Sequence, residues 1–425
     1  MQNETSEFAP VAVPDDKLVP WPRVAAVAAM VSFSLPTFIT GLEIFAGLPP
    51  YQAVLAVIIG SIIITCVGVV MGVIGAQSRM SSYLLVRIAF GDLGAGLVNI
   101  AFAISLLGWF GINVNLFADA VARLALTVLD ISLDPLALAI FASVCMTVTT
   151  IVGFKAINLL ATLLVPVLVV VTAMLLMFSL DTMPLGQIMQ TEVAATLTLG
   201  EGISAIVGAV IIGAIILPDI TRFVRHWSGA VYTAIIAYLI VEAVVMLAAG
   251  FAAIVYGKTD ILDIMLDINL GFGAFAIVIA GSWILNSLNL YSTVLSVNAT
   301  FPKLNAFWLT IALGAFGVGA ALLNLLDSFV TFLFYLSVVF IPVAGVIIVD
   351  RIVIRPGAYV IDRLDGNRRA NVAGLTAWAV GAILAILGTE GMIPTLTGIA
   401  ALDAIILTAG VFLILGWNQR EVRST

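Results

Sequence analysis

Residues Arg23 to Ala46 read RVAAVAAMVSFSLPTFITGLEIFA. The run is long enough for one membrane crossing, which takes about 20 apolar residues. Its middle, however, carries Ser32-Phe33-Ser34-Leu35-Pro36-Thr37, followed by Thr40-Gly41. Proline removes a main-chain donor and glycine loosens a helix, so a span that breaks near mid-depth and frees N–H and C=O groups is predicted. The sixth apolar run is interrupted in the same way, by Gly208, Gly213 and Pro218. Paired breaks in corresponding spans point to a transporter built from inverted repeats, with solute held at the membrane midplane. Glycine and proline are also ordinary residues of membrane helices, where small side chains serve packing, so the breaks do not decide function alone.

Outward from that stretch the apolar pattern repeats. Apolar residues make up 62% of the 425 residues and charged residues 10%, against roughly 45–50% and about 25% in soluble domains. Spans are predicted near 23–46, 51–76, 92–120, 136–153, 155–179, 196–220, 229–256, 270–299, 305–324, 328–349, 370–389 and 395–416. With these twelve spans and an inside N-terminus, only Arg123 and Lys258 of the 17 Lys and Arg fall outside. A miscount of one span would scramble that positive-inside split, so count and orientation support each other. The reading is a multi-pass protein of the cytoplasmic membrane with both termini cytoplasmic. Residues 1–22 and 417–425 form tails, the first read as disordered. The start of the chain, polar, acidic and proline-bearing, is unlike a signal peptide.

Several function classes are disfavoured. Cys66 and Cys145 lie in apolar runs and suggest neither a disulfide framework nor a metal site. A net charge of -7 without a long basic run argues against a nucleic-acid partner. No HExxH motif occurs, and the single histidine, His226, falls in a loop beside Arg225, so a membrane-embedded hydrolase has little to work with. No metal or cofactor is expected. A small solute and the bilayer are the expected partners, and paired broken helices fit alternating access better than a pore.

A series of motifs then stands in order: Leu48 to Gly60 (LPPYQAVLAVIIG), Gly75 to Gly91 (GAQSRMSSYLLVRIAFG), Gly108-Trp109-Phe110-Gly111, Pro218-Asp219-Ile220-Thr221-Arg222-Phe223, Trp283 with Asn286, and Pro342, Gly345 and Asp350. From about residue 25 to 355 the chain resembles the purine-cytosine permease, or nucleobase:cation symporter, family. The resemblance implies an all-α LeuT-like fold: two inverted five-helix repeats, here 23–180 and 196–350, plus two peripheral helices at 370–416. It also implies a site between spans one, three, six and eight for a flat nitrogenous heterocycle.

Trp109 lies near the middle of span three, where a ring can stack on such a solute; the family uses this tryptophan so, whereas a structural Trp prefers the membrane edges. Asn113 is one turn later on the same face, where hydantoin-carrying relatives have an amide. Asn286 and Asn289 share a face of span eight; such amides contact a ligand or join helices, and the resemblance favours the ligand, Asn286 first. Ser34 falls where hydantoin-carrying members have a substrate-facing glutamine, and Gly213 offers main chain at the break of span six. Val210 and Ile212 replace an aromatic residue and a serine of cytosine-carrying members, and Leu106 replaces an amide, so a ligand bulkier or less polar than cytosine, or a non-planar one, is expected.

Asp219 and Arg222 are expected to pair with each other or nearby backbone at the inner end of span six, and Arg87 reads similarly. Asp119 is near enough to the outer end of span three to reach water. Sodium-coupled relatives place two hydroxyl residues just before the span-eight asparagine; here those positions are Ile284 and Leu285, which offer a hard cation no oxygen. A proton is the expected coupling ion, and Glu43 and Glu242 are the candidate carriers. Glu43 is preferred because it is nearer the first break, with the equal alternative that it faces water, since the helix phase beyond the break is not fixed by the sequence. The two deep acids also motivate a second possibility, a carrier of an amino acid or organic cation on the same fold.

Overall fold

The computed structural model describes residues 11–321, 329–364 and 369–419. Among them the structure is helical, with one isolated bridge between Val19 and Val224. Ten helices are long and apolar enough to cross a membrane, and a bent pair, Trp21–Ser32 with Leu35–Gly47, makes an eleventh span. The expected ninth span corresponds to a shorter apolar helix, Ala306–Ala321. The end of the expected ninth span, the start of the tenth, Arg368, Arg420 and Arg423 lie outside the described residues.

The first span breaks where the sequence places it. Its two helices meet at an angle of 49°, with Phe33 and the extended Ser34 (φ -82°, ψ 155°) between them. Pro36, in the first turn of the second helix, starts a helix as readily as it ends one. Span six breaks too, but lower than expected. The helix Leu199–Ile215 runs unbroken through Gly208 and Gly213, stops at Ile216–Leu217, and resumes as Pro218–Thr221. Proline thus sets this break, and the glycines answer to other demands.

Gly208 is a packing glycine: a Cβ there would collide with the main-chain oxygen of Leu333 in span ten, Phe329–Ile354. Overpacking of this kind costs about 1–3 kcal/mol. Gly208→Ala should therefore lower the thermal unfolding midpoint in detergent clearly, while Gly213→Ala, whose added Cβ would meet its nearest neighbours at 3.6 Å, should leave it nearly unchanged.

Span six is the axis of the bundle, with 89% of its apolar window buried, against 28% for span five, Phe154–Thr182. Aliphatic side chains such as Ile104, Leu163 and Ile414 point outward, as a lipid-facing surface requires. One end of the bundle carries most Lys and Arg, and we refer to it as the basic end; the other is the acidic end. Spans one and seven (Trp227–Tyr256) run side by side in one register. Ser32 Oγ donates to the Ala237 carbonyl at 2.9 Å, a Cβ on Gly41 would sit 2.5 Å from the Met246 oxygen, and the Phe45 ring lies on Gly250. The same offset holds at all three levels, so Thr37 is level with Glu242.

Two features depart from the sequence reading. Ser82–Leu129 is one long element broken at Gly91 (φ 75°, ψ 170°), a conformation that favours glycine; a short helix over residues 82–90 thus precedes span three. Residues 11–20 are also not a loose tail. Val13 N donates to Arg79 O at 3.0 Å and Val19 N to Phe223 O at 2.8 Å, which ties this segment across the basic end.

Candidate substrate site

Span three positions Trp109 through its neighbours. The indole is 6% exposed and meets Phe329 and Phe332 of span ten edge-on, with centroids 6.2 and 5.5 Å apart. These contacts fix the ring plane. Below it, two amides hold the helix backbone: Asn113 Nδ2 donates to Trp109 O at 2.8 Å and Asn286 Nδ2 to Phe110 O at 3.0 Å. Both asparagines are fully buried.

Trp109 borders a narrow cavity between the break of span one and spans three, six, seven and eight. Its walls are largely aliphatic, with Val31, Leu106, Val210, Ile212 and Leu285 among them. The polar lining is Ser34, Thr37, Asn289, Ser292, Asp219 and Tyr238. Trp109, Asn289, Ser34, Gly213 and Val210 are brought together as expected. Asn286 and Asn113 are not on the wall. Asn289 Nδ2 leans on Asn286 Oδ1 at 3.5 Å, so Asn289 faces the cavity and Asn286 backs it, the reverse of the expected order. Three residues along a helix is about 300°, so the pair shares a face while pointing about 60° apart. Ser34 Oγ is committed to Val31 O at 2.6 Å, and Thr37 Oγ1 shares that acceptor at 3.2 Å.

The cavity floor is a polar knot toward the basic end. Asp219 accepts from Ser82 N at 2.9 Å, Ser82 Oγ at 2.6 Å and Ser292 Oγ at 2.9 Å. Arg222, 1% exposed, donates through Nε to Asp219 O at 3.1 Å and through Nη2 to Tyr291 Oη at 2.9 Å. The expected pair therefore joins guanidinium to main chain, and serines satisfy the carboxylate. Phe223 stacks on Phe154 at 4.4 Å, and Arg79 donates to the Arg222, Val224 and Arg225 carbonyls. The cavity is thus closed toward the basic end by hydrogen bonds that spans six and eight and the 82–90 helix make jointly. Arg87 pairs instead with Asp92 at 3.0 Å, and Asp350 with Arg355 at 2.6 Å. His226 is exposed and caps the next helix through Ser228. A second cavity, about 780 Å³, lies toward the acidic end past Leu35, Ile39 and Leu116, rimmed by Asp119, Arg123 and Asp260. Asp119 is exposed, as expected.

The two acids exchange places. Glu43 is exposed, because the helix after the break turns it away from the bundle. Glu242 is fully buried, and neither carboxylate oxygen has a hydrogen-bond partner among the described residues. Burying an unpaired carboxylate is costly, so an intramembrane acid of this kind is a functional group by default. Tyr238, Phe329 and Phe332 escaped the sequence reading: the phenylalanines sit among the many apolar residues of span ten, and nothing marks the tyrosine except its place four residues before Glu242.

A broken-helix bundle around a mid-depth cavity, sealed at one end by hydrogen bonds, is the architecture of a solute carrier. The solved structures agree. The chain superposes with a TM-score of 0.81 on Mhp1, a nucleobase-cation-symport-1 family transporter in a closed conformation with bromovinylhydantoin bound, at 17% identity over 97% of this chain and 96% of that one. A Na+-coupled sialic acid symporter gives 0.67 at 15% identity, covering 94% and 90%. The fold is that of the LeuT-like transporters. In sequence, 312 residues are 29% identical to the cytosine permease of Escherichia coli (strain K12), 73% of each chain. Residues 25–408 match the family described as permease for cytosine/purines, uracil, thiamine, allantoin, and the chain belongs to this nucleobase:cation symporter family of membrane transporters.

Proposed function

We propose that this protein imports a small, mainly planar nitrogenous heterocycle by alternating access, coupled to protons rather than sodium. In this reading it sits in the cytoplasmic membrane with both termini and the basic end inside, and residues 23–180 and 196–350 form the two inverted repeats. The solute stacks on Trp109 and is hydrogen-bonded by Asn289, which Asn286 holds in place. The observation that carries the reading is the pairing of one braced indole with one free-facing amide across an otherwise aliphatic cavity. A flat ring with N–H and C=O edges fits that pairing, while an amino acid or organic cation would call on Asp219, whose carboxylate already accepts three hydrogen bonds.

The residues around the first break support the choice of ion. Ile284 and Leu285 are buried where sodium-coupled relatives have hydroxyls. Gly281 of span eight lies so close to the break that a Cβ would sit 2.7 Å from Phe33 O, and Val31 O is occupied by Ser34 and Thr37. The two aliphatic side chains thus offer a hard cation none of the oxygen that the hydroxyls of those relatives supply. Glu242, level with Thr37, is the group we assign to the proton.

A thermal-shift panel of nucleobases, hydantoins, pyridines, amines and amino acids tests the solute class, because a ligand that binds only the folded state raises its stability by about 2.7 kcal/mol at one hundred times Kd. Shifts are expected from planar heterocycles alone. Shifts confined to amines or amino acids would overturn the proposal.

A further inference from the structure

Glu242 does not line the cavity, so a proton on it needs a way in. Its own helix offers one. The stretch Ile235–Val241 just before it is π-helical, an irregularity often found at functional sites, and within that stretch stands Tyr238. Its side chain is 1% exposed yet lines the cavity. The ring lies over Gly68 of span two, where a Cβ would be 2.8 Å from its edge, and the hydroxyl reaches to 3.7 Å from where a Cβ on Gly213 would stand. Glycine on both sides thus leaves room for the ring. The hydroxyl makes no hydrogen bond among the described residues. On span one at this level stands Thr37, whose proton is committed to Val31 O; on span two, Thr65 donates to Ser61 O.

No other ionisable side chain is described at this depth on the helices packed against Glu242. Glu43 and Asp181 are exposed near the acidic ends of spans one and five, and Arg23 and Lys155 near their basic ends. Tyr51 and Tyr232 stand exposed at opposite ends of spans two and seven, Tyr256 closes the far end of span seven, and Asp260, Asp263 and Asp267 lie beyond it. Cys66 of span two is exposed on the outside of the bundle.

We propose that Tyr238 is the positioning residue that passes the coupling proton between Glu242 and the cavity; this rests on the proton-coupled reading above. The carboxyl and the hydroxyl are not hydrogen-bonded to each other in this structure, so the step runs through one bridging water or a rotation of the Glu242 side chain. The phenol oxygen accepts one proton as its own leaves to water or solute in the cavity, so the tyrosine stays neutral and one proton moves. The reverse order reloads Glu242. Because substrate displaces cavity water beside the same hydroxyl, occupancy of the cavity and exchange of the proton are coupled at one atom.

The test uses the full chain reconstituted in lipid. Infrared difference spectra are recorded after a pH jump, and the carboxyl C=O band of Glu242 is assigned by its loss in Glu242→Gln. Tyr238→Phe keeps the ring and sacrifices no hydrogen bond. It should slow the band's response roughly tenfold or more, as loss of a positioned acid–base group does, and leave its final amplitude unchanged. Loss of packing alone would not slow the response at constant amplitude. An unchanged rate with the band present would overturn the role of Tyr238 and leave proton coupling standing. No Glu242 band in the unsubstituted protein would overturn both.

Discussion

Trp109→Ala is expected to abolish specific binding at solute concentrations that saturate the unsubstituted protein, and to leave a foldable protein. Stacking on an aromatic side chain is worth about 1–3 kcal/mol for a flat base, and each 1.4 kcal/mol is tenfold in affinity, so Kd rises by roughly 5 to 140-fold from lost stacking alone. Loss of the edge contacts to Phe329 and Phe332 frees those rings to enter the cavity and adds to the deficit. Trp109→Phe keeps an aromatic face and should retain part of the affinity. Titration calorimetry on the purified variants, with the ligand that gives the largest thermal shift, reads both values. Unchanged affinity in the alanine variant contradicts the assignment of the site.

The parts of the fold legible in the sequence were those that depend on bulk composition or on one residue's chemistry. Apolar runs and the bias of Lys and Arg gave the spans and their order, and Pro36 marked the break of span one. What was hidden depends on helix phase and tertiary contact. Glu43 looked nearer to the first break than Glu242 because the rotation introduced at Phe33–Ser34 is not written in the residues; it turns Glu43 outward and leaves Glu242 inside. Asn286 and Asn289 were found together, yet which of them lines the cavity is a matter of about 60° of rotation. Gly208 and Gly213 looked alike, and only the approach of Leu333 separates the packing glycine from the cavity glycine. The segment 11–20 read as loose because its hydrogen bonds go to Arg79 and Phe223, far away in sequence.

If Glu242 carries the coupling proton as proposed, Glu242→Gln is expected to uncouple transport from protons. The amide keeps the size of the side chain in a fully buried position and removes its titration, so solute binding and exchange persist while concentrative uptake is lost. A pH gradient of one unit stores about 1.4 kcal/mol per proton, enough for tenfold accumulation if one proton accompanies each solute. Glu43→Gln, at an exposed position, should leave that accumulation intact. The decisive measurement is uptake of the heterocycle with the largest thermal shift into proteoliposomes, driven separately by a pH gradient and by a sodium gradient. Uptake several-fold higher under the pH gradient, abolished by Glu242→Gln and indifferent to sodium, is the predicted result; strong stimulation by sodium with no response to pH, or equal uptake under both, would contradict it.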